Sequence, residues 1–187
     1  MRILLAAFIS EGILLILSLA ISLFADIALI WNSSWWAVLV GSTLIIPPLI
    51  VNNILWRYSE TNHGSIFYRF SQEIIIPLCR HITPTAAIIV AILSGVCEEM
   101  FFRGALNSLC ARLGGIEFAF VVTSLIFAAT HFIGSFKKYG AMIPLYTAMG
   151  AYLWLVHFSS DSLTAVAICH GAYNLVVILI TRRRALT

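Results

Sequence analysis

The sequence predicts an all-α membrane protein, a polytopic bundle of about six transmembrane helices. Three observations carry that expectation. Of 187 residues, 61% are hydrophobic and only 10% are charged, whereas a soluble domain carries about 25% charge. Twelve Phe, six Tyr and five Trp exclude a disordered chain, which is poor in aromatic residues. Apolar stretches also recur along the whole length, and at about 20 residues per crossing there is room for roughly six with short loops. The formal charge of +3 is too small to point to nucleic acid. Membrane lipid is the surrounding that this composition requires.

The apolar segments lie near 3–30, 35–56, 84–112, 116–136, 140–158 and 162–181. The first follows Met1-Arg2, contains Glu11 and has no clean small-x-small cleavage site, so it reads as a retained span rather than a signal peptide. In the second, Pro47-Pro48 should kink or break the helix. The stretch 57–81 is the one long loop, and its mixture of Arg57, Arg69 and Arg80 with Ile and Phe suggests a segment lying on the membrane surface. Short breaks at Asn32-Ser33-Ser34, Gly114-Gly115, Lys137-Lys138 and Ser159-Ser160-Asp161 separate the other spans. The chain thus divides into two N-terminal helices with a loop (1–81), a four-helix core (82–182) and a basic tail (183–187). There is no internal repeat and no low-complexity segment. Cys79, Cys97, Cys110 and Cys169 form no CxxC pair and read as small hydrophobes.

With the N-terminus inside, Arg2, Arg57, Arg69, Arg80, Lys137, Lys138 and Arg182 to Arg184 all fall on the cytoplasmic side. The opposite side collects Arg112, and Arg103 lies within a span. Nine against one is a clear positive-inside signal. A multi-pass protein of the cell membrane with both termini in the cytoplasm is the expectation.

The third span departs from the apolar rule. From Thr83 to Cys97 it is too short to cross, so the helix must continue through Glu98-Glu99-Met100-Phe101-Phe102-Arg103. Each charge near the bilayer centre costs roughly 2.5–3.5 kcal/mol on insertion scales. Glu99 and Arg103 stand at i and i+4 and can pair on one face. Glu98, turned about 100° away, gains nothing from that pairing. An unpaired intramembrane carboxylate is a functional candidate.

Two more pairs at i, i+4 follow: Phe127 with His131 in the fourth span, and His170 with Asn174 in the sixth. The midpoint of 98 and 131 falls on Gly114-Gly115, so an antiparallel hairpin should bring Glu98 and His131 to one depth. Asn174 lies about 21 Å in from the turn near Ser160, at a similar level. His63, His81 and His157 sit in or near loops and read as surface or structural residues. A carboxylate beside an imidazole can bind and deprotonate water, and a His with an Asn on a facing helix can donate N–H groups to an oxyanion. That set describes amide hydrolysis by activated water without a cofactor. Glu98, His131 and His170 as a zinc site with an open fourth position is the alternative. HExxH, GxSxG and a Ser-His arrangement are absent.

The ordered trio Glu98-Glu99-x-x-x-Arg103, Phe127-x-x-x-His131 and His170-x-x-x-Asn174 resembles the three motifs of the CAAX protease and bacteriocin-processing family. This is the type II CAAX prenyl endopeptidase-like, lysostaphin-resistance-protein-A-like group. The resemblance covers about 83–181. It implies an intramembrane glutamic endopeptidase in which Glu98 with His131 activates water and His170 with Asn174 stabilises the oxyanion. Glu99, Arg103 and Phe127 would then be supporting motif residues. It also implies a peptide or a protein with a C-terminal tail as substrate, lipidated in the family's best-known members. Early descriptions of the group as metal-dependent keep zinc as the alternative cofactor.

Two rival classes are a non-catalytic immunity or scaffold protein and a small polytopic transporter. A transporter favours repeated halves and helices broken at matching positions, and the sequence has neither. The charge count makes its own prediction about sidedness. Reporter fusions after Asn32 and after Arg184 should report opposite sides of the membrane; the same side for both would refute six crossings.

Overall fold

A computed structural model describes residues 2–186; Met1 and Thr187, at the ends of the N-terminal unit and the tail, lie outside it. Among the described residues all regular structure is helical. Five segments are long and apolar enough to cross a membrane: Leu4–Phe24, Trp35–Thr61, Pro84–Thr130, Phe136–Ser160 and Leu163–Leu186. The third has 47 residues, enough for two crossings. An unbroken helix would hold residues 98 and 131 about 50 Å apart, yet Glu98 and His131 lie 3.9 Å apart. The chain therefore doubles back at Gly115, whose φ of 85° and ψ of 177° no helix contains. Six crossings result.

Three expected boundaries shift. The first helix, α1 (Arg2–Phe24), stops short of residue 30 because Asp26 takes a left-handed φ of 49°. The expected second span of 35–56 is two helices, α2 (Trp35–Thr43) and α3 (Ile46–Thr61). Pro47 and Pro48 lack the N–H groups that would bond back one turn, so the ladder opens before them. The freed Leu44 carbonyl accepts the Tyr152 hydroxyl and the Cys169 thiol. Thirdly, the stretch 57–81 is not a loop. It holds the end of α3, then α4 (Ile66–Phe70), a π-helical turn (Ser71–Ile75) and α5 (Ile76–Arg80). Its apolar side chains have somewhere to go: Phe70 is buried against Phe132, Tyr139 and Met142. Glu73 anchors the same segment, accepting the Tyr139 hydroxyl at 2.7 Å and pairing with Lys138. Those two donors, Lys138 first, hold the Glu73 carboxyl below its ordinary range.

A fourth boundary shifts as well, since the span expected over 116–136 ends at Thr130 with His131 as its C-cap; the remaining spans follow the sequence closely. α6 (Pro84–Leu93) starts behind an N-cap, Thr83, and leads through two π-helical turns into α7 (Asn107–Thr130). Lys137 and Lys138 sit in a short helix, α8 (Phe136–Tyr139), rather than in an open break. α9 (Ile143–Ser160) ends on the left-handed Asp161, and Ser162 caps α10 (Leu163–Arg184). All four cysteines are free and buried.

Contacts between the breaks order the bundle. At one end Arg112 donates to the Ala25 and Asp26 carbonyls, and the Ser162 hydroxyl donates to Asn32. At the other end Arg182 donates to the Ile82 carbonyl, and the guanidinium of Arg184 lies over the Trp56 ring. Successive breaks thus alternate between the two ends. Outward faces carry large apolar side chains such as Ile9, Ile16, Leu23 and Leu155, as lipid contact requires.

One helix crossing is unusually close. A Cβ on Gly95 would stand 2.6 Å from the Ala167 carbonyl oxygen, and one on Gly171 would stand 2.8 Å from that of Ala91. Small residues at such crossings let transmembrane backbones approach. Gly95→Ala and Gly171→Ala should each cost about 1–3 kcal/mol by forcing that crossing apart. Thermal unfolding in detergent would show it, against Gly12→Ala, where nothing lies within 4 Å and the midpoint should hold.

Candidate active site

The third span was expected to be one regular helix through its charged residues. Instead it widens into π-helical turns at Ser94–Glu98 and Met100–Leu106. Such turns concentrate at functional sites. Here the widened backbone is braced from α1, because the buried Ser18 hydroxyl donates to the Met100 carbonyl at 3.0 Å.

Glu99 and Arg103 pair as their spacing suggests, at 3.2 Å and with almost no exposure, 0% and 1%. The pair recruits three other spans. Arg103 donates its second terminal N–H to the Gly150 carbonyl on α9 at 2.9 Å, and its guanidinium lies 4.7 Å from the Phe127 ring on α7. Nδ1 of His170, on α10, stands 2.6 Å from the same Glu99 oxygen that accepts from Arg103. A carboxylate can accept several donors. His170 as the donor fits that pattern.

Glu98 faces the other way. It is buried, its Oε2 has no hydrogen-bond partner, and that oxygen lies 3.9 Å from Nε2 of His131. The His131 ring is fixed from behind: Nδ1 lies 2.7 Å from the Phe127 carbonyl oxygen, which accepts only a donor. Nδ1 therefore carries the proton, and the Nε2 lone pair faces Glu98 in the neutral ring. Phe127 also flanks both imidazoles, 4.7 Å from His131 and 6.0 Å from His170 between ring centres.

The remaining candidate, Asn174, shares a face of α10 with His170. It donates to the Ser94 hydroxyl at 2.9 Å, one turn before Glu98. The four candidates thus adjoin one stretch of the third span, Glu98 facing His131, His170 bonded to Glu99 and Asn174 bonded to Ser94. Among the described residues no three His, Cys, Asp or Glu side chains are grouped so as to hold a metal ion, the alternative zinc set of Glu98, His131 and His170 included.

Several contributors went unread in the sequence. Gly150 offers a backbone carbonyl, which no side chain announces. Ser94 stands at i−4 from Glu98, a spacing that marks it as a neighbour on the same face. Tyr146, 4.8 Å from the His131 ring, belongs to a span whose motifless sequence gave no hint. Gly95 and Gly171 adjoin the motifs and set the approach of α10.

Residues 80–176, just over half of the chain, match the family described as type II CAAX prenyl endopeptidase Rce1-like. The chain belongs to that family. The matched region holds Glu98, Glu99, Arg103, Phe127, His131, His170 and Asn174. Membership in the Rce1-like family brings intramembrane protease activity at family level. No curated protein and no solved structure matches the chain.

In this Rce1-like chain the two adjacent glutamates should respond differently to loss of charge. Glu99→Gln leaves the buried Arg103 uncompensated and should cost about 3–5 kcal/mol. Glu98→Gln removes no hydrogen bond and should leave the unfolding midpoint in detergent near that of the wild type. Equal destabilisation by both would contradict the separation of the two carboxylates.

Proposed function

We propose that this protein is an intramembrane glutamic endopeptidase that hydrolyses a peptide bond in the C-terminal tail of a lipid-modified, membrane-bound protein. The observation that carries this reading is the opposition of Glu98 Oε2 and His131 Nε2 at 3.9 Å, with neither atom hydrogen-bonded to the other. That gap is too long for a direct bond and suits one bridging water. Both facing atoms are acceptors, so a water between them is gripped through its two protons.

In the proposed reaction Glu98 takes a proton as the water oxygen attacks the scissile carbonyl, and His131 orients the water. Negative charge moves onto the carbonyl oxygen. Asn174 spends one amide N–H on Ser94 and directs the other at that oxygen. His170 donates Nδ1–H to Glu99, whose carboxylate also supports the doubly protonated ring that donates from Nε2. Collapse of the tetrahedral species breaks the C–N bond, and Glu98 returns its proton to the leaving amine. Water adds across the amide, giving one carboxylic acid and one amine. Burial of Glu98 and His170 among apolar spans strengthens the interactions they make, while His131 at the end of α7 stays exposed. Family membership supports the choice of substrate, a prenylated CAAX tail, which the surrounding lipid can deliver laterally.

Purified protein in detergent should cleave a farnesylated CAAX peptide faster than its unprenylated counterpart. Glu98→Gln should lower kcat by about a hundredfold or more, and exhaustive treatment with strong chelators should leave the wild-type rate unchanged. Full activity in Glu98→Gln would overturn the assignment of the base. Activity lost with a copurifying zinc and restored on its return would overturn the metal-free chemistry.

A further inference from the structure

α1 presents a buried polar face that the proposed reaction does not use. Glu11, Ser18 and Ser22 stand at i, i+7 and i+11, the spacing of one helical face. Ser18 is fully buried against the Met100 carbonyl, and Glu11 is only 9% exposed. Two contacts fix the register of α1 beside the third span. Leu4 packs against the Ile82, Ala86 and Ala87 cluster, and Ser18 meets Met100. The two helices therefore run parallel, and Glu11, midway between these contacts, lies beside the Ser94–Glu98 turn. Electrostatics agree with that placement. The Glu11 carboxyl interacts with Glu98 and His170, and the Cys97 thiol lies in the field of both carboxyls.

Glu11 Oε2 is buried without a hydrogen-bond partner, and so is Glu98 Oε2. The nearby buried cation, Arg103, directs its terminal nitrogens to Glu99 and Gly150 and leaves Nε without a partner, so none of its N–H groups bonds to Glu98. Two ionised carboxylates side by side at membrane depth are strongly disfavoured. A proton on one of the two removes that cost, and with Glu98 as the proposed base it is Glu11 that would carry it. A neutral carboxyl has an O–H to donate, and Glu98 Oε2 lacks a donor.

We propose that Glu11 is a positioning residue of the active site, a neutral carboxyl whose O–H bonds to Glu98, directly or through one water, and holds that carboxylate towards His131. The inference rests on the proposed role of Glu98 as base, but its protonation can be read without turnover. In purified full-length protein at neutral pH, infrared spectra should contain a protonated-carboxyl C=O band above the amide I region. The band should persist in Glu98→Gln and vanish in Glu11→Gln. In turnover of a farnesylated CAAX peptide, Glu11→Gln keeps a donor and should lower kcat about threefold, whereas Glu11→Leu should lower it at least about tenfold. KM should stay within about twofold and the unfolding midpoint should hold, a split that a purely structural residue would not give. A missing band, a band lost in Glu98→Gln instead, or wild-type kcat in Glu11→Leu would overturn the proposal. If the wild type cleaves nothing, the proposed activity fails, and the infrared bands alone decide for or against a neutral Glu11.

Discussion

The bundle is organised around a buried guanidinium. Arg103 sits 1% exposed in the third span, where an unpaired charge would be prohibitive. Its partners come from four spans: Glu99 on its own helix, Phe127 on α7, Gly150 on α9 and, through Glu99, His170 on α10. Losing Glu99 would strand that charge in hydrocarbon, and the other contacts draw their spans to the same depth. Each motif then contributes one residue to this framework and one beside it. Glu98 adjoins Glu99, His131 follows Phe127 by one turn, and Asn174 follows His170 by one turn. The framework thereby aims Glu98, His131 and Asn174, three of the four residues proposed to handle water and the oxyanion, and the fourth, His170, belongs to the framework itself.

Backbone chemistry imposes a second constraint. Lipid offers no hydrogen bonds, so each carbonyl released by an irregularity must find a partner inside the protein. The proline break frees Leu44, which takes Tyr152 and Cys169. The widened turns of the third span are met by Ser18 at Met100, and Gly150 serves Arg103. The irregular Ile27–Ser34 stretch is tied down where the Ile30 carbonyl accepts the Leu163 N–H. Irregular backbone thus survives because the neighbouring span supplies a donor.

This explains what the sequence discloses and what it conceals. Spacing at i, i+4 is a property of one helix, so the Glu99–Arg103 pair and the shared face of His170 and Asn174 are legible without coordinates. The common depth of Glu98 and His131 follows from counting residues to Gly114-Gly115, since a hairpin converts sequence distance into height. Tertiary acceptors leave no such trace: Gly150 contributes a carbonyl that any residue possesses, and the π-helical turns depend on packing from α1 and α10. The helices within 57–81 escape notice because their stability comes from burying Phe70 beside Phe132 and Tyr139, residues far away in sequence. Glu11 is visible as an intramembrane charge, yet its neighbourhood depends on the register that Ser18 sets.

The contrast between adjacent glutamates gives the arrangement its chemical sense. A carboxylate locked to a guanidinium is a stable anion and a poor proton acceptor, while one without a cation partner keeps the basicity needed to take a proton from water. Both environments are required within one helical turn, because the framework must be charged to hold the spans together and the base that we propose must stay uncompensated to react. A rotation of about 100° between consecutive residues suffices to separate them. Glu99 turns to Arg103 and His170, and Glu98 turns to His131, whose ring is held by a backbone carbonyl rather than by a charge. Two identical side chains acquire different tasks from their surroundings alone, and the membrane sharpens the difference, since low polarity makes each neighbour count for more.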